Sequence, residues 1–169
     1  MLCDINSQEC KELMKLIETQ SKATLGNWAV GFAKEQYLPI YRKQAPEDKR
    51  LEEVVSACEE YLAGTRTLKD LKPLLREGRL IAQEAEKDPV AQAAARAVST
   101  GCAAITTPTN ALGFLFYGSA AAAYTSAGLT ESAEVYDALA AKELRKALAD
   151  LRENAVPDEE NPVKIQWNC

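Results

Sequence analysis

Few residues of this chain are able to do chemistry, and one type is missing. The 169 residues include no histidine. That removes histidine acid–base catalysis, Ser-His-Asp and Cys-His nucleophile pairs, and histidine metal ligands. Carboxylates, arginines and cysteines remain. Glu52-Glu53 and Glu59-Glu60 stand seven residues apart, a spacing that stacks them on neighbouring faces of one helix. In helical di-metal proteins such stacks are completed by Glu-x-x-His motifs. Without the histidine they read as a solvated face, and no metal is expected. Residues 46–60 still hold six acids (Glu47, Asp48, Glu52, Glu53, Glu59, Glu60) against Lys49 and Arg50. Asp48, Glu52, Glu53, Glu59 and Glu60 are therefore the candidate surface for a protein partner.

Arg96 is the second candidate. It is the last charge before a long uncharged stretch, and alanines precede it. Arginine is seldom buried without a carboxylate, so the expectation is a buried or half-buried ion pair, with Asp48 or a nearby glutamate. The alternative is a polar pocket in which Arg96, with Asp48 and Arg50, holds an anionic small molecule. The glycines form no phosphate loop, and Gly-x-Ser-x-Gly is absent. Cys3, Cys10, Cys58, Cys102 and Cys169 are scattered and contain no Cys-x-x-Cys. They read as reduced thiols, with Cys58 and Cys102 as small core hydrophobes. No catalytic constellation and no cofactor are expected.

The elements that position these residues are helical nearly throughout. Ala97 to Thr130 carries no formal charge in a chain that is 27% charged. It predicts two close-packed central helices, about 89–105 and 108–127, started by Asp88-Pro89 and Thr107-Pro108. Small residues four apart (Ala91, Ala95, Ser99 and Ala103; Ser119 and Ala123) suit a tight hairpin. Thr106 to Asn110 interrupt the stretch with polar residues, which argues against a membrane span. Around the hairpin the spacing predicts a helix over 8–19, and another after Gly26 and Asn27 that ends or kinks near Leu38 before Pro39. It predicts a third from an Asp48 cap to Gly64, a fourth from Pro73, and a seventh from Thr130 to about 153. After Val156 helicity ends. Val163, Ile165 and Trp167 alternate with polar residues, as in an extended segment lying on the helical body or on a second subunit. The expected architecture is all-α: a single domain of about seven helices over 1–155, with an extended tail over 156–169.

The net charge of −5 leaves no basic surplus to neutralise phosphates, so nucleic acid is not an expected partner. The N-terminal residues show no basic region followed by an apolar run. With the thiol reading, this gives a cytoplasmic expectation.

The order of motifs resembles a known family. Trp28-Ala29 is followed by Leu38-Pro39, then Pro46-x-Asp48-x-Arg50, then an acidic and apolar helix ending in Tyr61-Leu-Ala-Gly64. After it come Ala-Ala-Ala-Arg96-Ala and an alanine-rich run from Asn110-Ala-Leu-Gly113 to Gly118-Ser-Ala-Ala. Over roughly residues 25–128 this is similar to the immunity proteins of bacterial polymorphic toxin systems, in the all-helical group numbered five and its relatives. Asp48, Arg50 and Arg96 match the family pattern. Leu51-Glu52 stands where Pro-Arg is usual, and Pro108 and Asn110 lie near two usual histidines. Any polar centre those histidines build in relatives is then absent or rebuilt. The resemblance implies a cytosolic protein that binds a cognate toxin and occludes its active site, without catalysis. Mild acidity suits a basic toxin partner.

Overall fold

In the computed structural model, which describes residues 3–167, five side chains open helices. Ser7, Ser21, Thr67, Asp88 and Ser132 each accept a hydrogen bond from a backbone N–H of the following first turn, the ordinary N-cap chemistry. The described residues form eight α-helices: α1 (Gln8–Ile17), α2 (Lys22–Gln36), α3 (Leu38–Gln44), α4 (Arg50–Leu62), α5 (Leu68–Glu84), α6 (Pro89–Ala103), α7 (Asn110–Ala127) and α8 (Ala133–Asn154). A 3-10 turn at Ala85–Lys87 joins α5 to α6. The protein is all-α, as the sequence predicts. The eighth helix arises where the break was expected: Tyr37 ends α2 and begins α3, with Pro39 in the first turn of α3, where its missing N–H costs nothing.

Several starts differ from the sequence reading. α2 begins at Lys22, capped by Ser21, and runs straight through Gly26 and Asn27. A Cβ on Gly26 would stand 3.3 Å from side-chain atoms of both Ile105 and Leu62, so that glycine serves a close helix approach and not a helix start. α5 begins at Leu68 behind Thr67, leaving Pro73 inside the helix on its exposed side. Asp48 does not cap α4. Lys49 holds the cap position without a side-chain bond, because the Asp48 carboxylate is committed elsewhere. Thr109 precedes α7 without a side-chain cap, and Ser132, not Thr130, caps α8.

α6 and α7 form the central hairpin, the most extensive helix contact in the protein, and α6 also packs on α2, α3, α4 and α5. Ser99, however, serves a different neighbour: it lies 3.2 Å from where a Cβ on Gly78 of α5 would be. The hairpin also meets α2, where a Cβ on Gly101 would approach Ala33 Cβ to 3.0 Å and the Ala29 carbonyl to 3.1 Å. Trp28, Phe32, Tyr37 and Phe114 fill the space between α2 and α7 with ring centroids 5.5–6.1 Å apart, mostly edge to face, the favoured aromatic geometry. Cys58 and Cys102 are fully buried, and their mutual hydrogen bond together with burial holds the Cys102 thiol well above its ordinary range. Cys169 lies outside the described residues, as do Met1 and Leu2, the start of the N-terminal sequence reading.

The tail folds back on its own chain. Asp158 and Asn161 take left-handed backbone conformations (φ 52° and 55°), which Asp and Asn adopt more readily than other side chains. The chain then pairs Pro162 with Ser21, and Val163 N–H donates to the Gln20 carbonyl at 2.8 Å. The Glu159 carboxylate accepts from Ser21 N–H at 2.7 Å, the Ser21 hydroxyl at 2.6 Å and the Thr24 hydroxyl at 2.5 Å. Buried Gln20 exchanges two hydrogen bonds with the backbone of Val156. Val163, Ile165 and Trp167 lie half-buried against the core, and Trp167 Nε1 donates to Glu18. Among the described residues no helix is long and apolar enough to cross a membrane.

Candidate functional site

The Asp-x-Arg motif forms the densest polar cluster. Its place is set by the short turn between α3 and α4, where Asp48 N–H donates to the Ala45 carbonyl. Asp48 Oδ1 accepts from the Arg50 backbone N–H at 3.1 Å and from Arg50 Nε at 3.0 Å; Oδ2 accepts from Arg50 Nη2 at 2.8 Å. The Tyr41 hydroxyl donates to the same Oδ2 at 3.0 Å. Arg50 then reaches across to α5, where Glu84 accepts from Nη2 at 2.6 Å and Glu77 from Nη1 at 3.2 Å. Glu77 and Glu84 are seven apart, so one face of α5 presents both. One guanidinium thus ties α3, α4 and α5 together through three carboxylates, the fork geometry for which arginine is suited.

The chemistry of this cluster follows from its protonation. Hydrogen bonds from Arg50 hold the Asp48 carboxyl down at about 2. Burial, reinforced by the hydrogen bond to Asp48, pushes Tyr41 up to about 12. Hydrogen bonds to Asp48 and Glu84 push Arg50 above its already high value. None of these three groups exchanges a proton near neutral pH, which general acid–base work requires. Beside them lies a cleft of about 270 Å³, lined by Tyr41, Asp48, Arg50, Glu84, Lys87 and Asp88 among others. The Asp88 oxygen facing α6 is occupied by capping Val90 and Ala91 N–H.

Arg96 is not part of this cluster. It is exposed, and among the described residues no carboxylate comes within ion-pair distance of it. Its guanidinium lies 5.8 Å from the ring centroid of Tyr117 on α7, a cation–π contact. The expected Arg96–Asp48 pair is therefore corrected: the neighbour of Asp48 supplies the arginine, and α6 turns residue 96 away from the core. The Asp48 cleft reaches Ala91 of α6 and does not include Arg96.

The acids of α4 are mostly held by cations of the same chain. Glu52 pairs with Arg42 and, at 3.9 Å, with Lys49. Glu59 pairs with Lys34 at 2.7 Å and Glu60 with Arg66 at 2.8 Å. Glu53 is exposed and forms no ion pair among the described residues. Among those residues no group of three or more acids or cysteines is placed to hold a metal ion.

One polar site escaped the sequence reading. Glu143 on α8 is buried, and the fully buried Tyr37 hydroxyl donates to its Oε1 at 2.9 Å. Lys146 Nζ stands 3.7 Å from Oε2 and also reaches Gln36. A pocket of about 340 Å³ opens there between α2, α3, α7 and α8, rimmed by Lys142, Thr125 and Ser126. Burial and the Glu143 carboxylate raise the Tyr37 phenol well above its ordinary value. The signal was present: Tyr136, Ala140, Glu143, Ala147 and Leu151 share the inward stripe of α8, and Glu143 is the charged member of it.

A family described as Imm-5 like putative immunity protein matches residues 15–150. The chain belongs to this family. The matched span holds the whole Arg50 cluster, the α6–α7 hairpin and the Tyr37–Glu143 pair; the clasping tail follows it. No curated protein and no solved structure matches the chain. In this immunity-family protein, Pro108 lies in the α6–α7 turn and Asn110 begins α7, both half-buried.

Proposed function

We propose that this protein neutralises a cognate bacterial toxin in the cytoplasm by binding it one to one and occluding its active site, with no catalysis of its own. The family match over residues 15–150 carries this reading. The physics supports it. The Arg50 cluster fixes three helices and leaves Asp48, Tyr41 and Arg50 in single protonation states, which makes a pre-organised binding body that loses little freedom on docking. The α4 acids offered by the sequence serve the fold's own ion pairs in this reading. Asp48, Glu52, Glu59 and Glu60 already hold cations, and a partner would have to displace them. A small-molecule pocket shared by Arg96 and Asp48 has no place in it, since the two side chains face different surroundings. A homodimer loses the feature that suggested it, because the tail docks on its own chain.

The test is protection. A toxin-like reading frame found beside the gene is expressed with and without this protein, and survival is scored. Rescue with a one-to-one complex on size exclusion is expected; death in both arms overturns the reading. Replacing Glu52, Glu53, Glu59 and Glu60 with Gln should leave protection intact. Lost protection with an unchanged melting temperature would return the partner surface to α4.

A further inference from the structure

α5 is electrically divided along its length. Lys69, Lys72, Arg76 and Arg79 recur at intervals of three, four and three, which places them on one face. All four are exposed, and none forms an ion pair among the described residues, although eight other cations of the chain do. Pro73, Leu80 and Gln83 complete this face, and Leu80 is 48% exposed. The acids of the helix, Asp70, Glu77 and Glu84, recur every seven residues along a different side: Asp70 meets the cap residue Thr67, and Glu77 and Glu84 meet Arg50. The other cations without a pair sit one or two to an element, such as Lys11 and Lys15 on α1. A row of like charges at helical spacing opposes the helix that carries it, and no ion pair among the described residues accounts for this one.

We propose that the outward face of α5 docks an acidic surface of the protein partner, with Leu80 as an apolar contact beside Arg76 and Arg79. This rests on the immunity reading and gives its partner a chemistry. Charge complementarity identifies the occupant: a cationic row on a chain of net charge −5 attracts an acidic patch locally while the rest of the molecule repels a long polyanion. The row spans only about 15 Å of helix, and the half-exposed Leu80 beside it offers an apolar contact that a protein surface can bury and a phosphate backbone cannot. The sign is opposite to that of the sequence reading, which sought an acidic face for a basic partner.

The experiment replaces Lys69, Lys72, Arg76 and Arg79 with Glu, and in a charge-matched control Lys11, Lys15, Lys22 and Lys43 with Glu. A Gln version of the α5 set serves if the Glu version does not melt cooperatively. Each variant is co-expressed with the neighbouring toxin, and binding of purified toxin, poly-L-glutamate and a 20-nucleotide RNA is measured at two salt concentrations. The α5 variant should lose protection and bind toxin on the order of 100-fold more weakly, chiefly through a slower association that salt also suppresses, while the control protects. Protection by both variants overturns the α5 surface and leaves the immunity reading standing. Failure of the wild-type protein to protect sinks the immunity reading. Poly-L-glutamate then decides the surface: binding abolished in the α5 variant alone sustains an acidic polypeptide site, and no binding overturns it. RNA bound more tightly than poly-L-glutamate also overturns it.

Discussion

Replacing Gly118 with alanine tests the closest approach made to any glycine among the described residues. A Cβ there would stand 2.1 Å from Cζ, 2.3 Å from Cε2 and 2.5 Å from the hydroxyl of Tyr37. The ring has nowhere to go. It is fully buried, edge-on to Phe32 and Phe114, and tied to Glu143. Overpacking of this kind costs about 1–3 kcal/mol. Pulling the hydroxyl from a charged acceptor removes about 1.5–3 kcal/mol more, and alanine's better helix propensity returns about 1 kcal/mol. Gly118→Ala should therefore lose about 1.5–5 kcal/mol, read as a fall in the urea midpoint at unchanged slope. Gly113 is the control on the same helix. Its Cβ would meet nothing closer than 3.7 Å, so Gly113→Ala should stabilise by about 0.5–1 kcal/mol. In a Tyr37→Leu background the Gly118→Ala penalty should largely vanish, because the obstructing ring atoms are gone. Wild-type stability for Gly118→Ala, or the same penalty in both backgrounds, would refute the steric reasoning.

Two further outcomes follow from the charged contacts. The Asp48 carboxyl is held below its unfolded value, so its contribution is present above pH about 4 and is lost as pH falls toward 2. A fall from 3.8 to about 2 is worth about 1–2 kcal/mol once screening at a partly open site is allowed for. Asp48→Asn should cost that much at pH 7, and most of that cost should be gone at pH 2, by denaturant titration across pH. Glu159 is also lowered: burial opposes its charge, but the hydrogen bonds from Ser21 and Thr24 win. Glu159→Ala should release the tail, and so should acid that protonates the carboxylate. Hydrogen exchange at the Val163 amide reads this directly. An amide equally protected in wild type and variant would show that the tail's other contacts hold it without Glu159.

The helices were legible because their signals are local. Asp88-Pro89 opens α6 and Gly64 closes α4 as expected, since a cap and a positive-φ stop need only their neighbours. Tyr37-Leu-Pro39 divides one expected helix for the same kind of reason. The errors lie where the partner is distant in sequence. Gly26 looks like a helix breaker until Ile105 and Leu62 are seen against it. Ser99 looks like a hairpin residue until Gly78 meets it. Asp48 looks like a cap, yet an arginine two residues on claims its carboxylate. Arg96 follows a run of alanines and still points to solvent, because each residue turns α6 by about 100° and position 96 falls on its open side, beside Tyr117. The α4 acids were visible as charges, but apart from Lys49 their cations come from α2, α3 and the α4–α5 loop, and no spacing rule links those elements.

The clasp between Gln20-Ser21 and residues 156–163 ties the α1–α2 junction to sequence made more than 130 residues later. α1 depends on late sequence as well: Glu9 pairs with Arg145, and Glu12 with Arg152. During synthesis α2 to α7 can assemble around α6 while α1 still waits for α8 to leave the ribosome. Closing so long a loop costs only slightly more than closing a short one, so the delay is one of order, not of energy. α1 is thus among the later of these helices to find its place, and until then its apolar face of Leu13 and Ile17 stays uncovered.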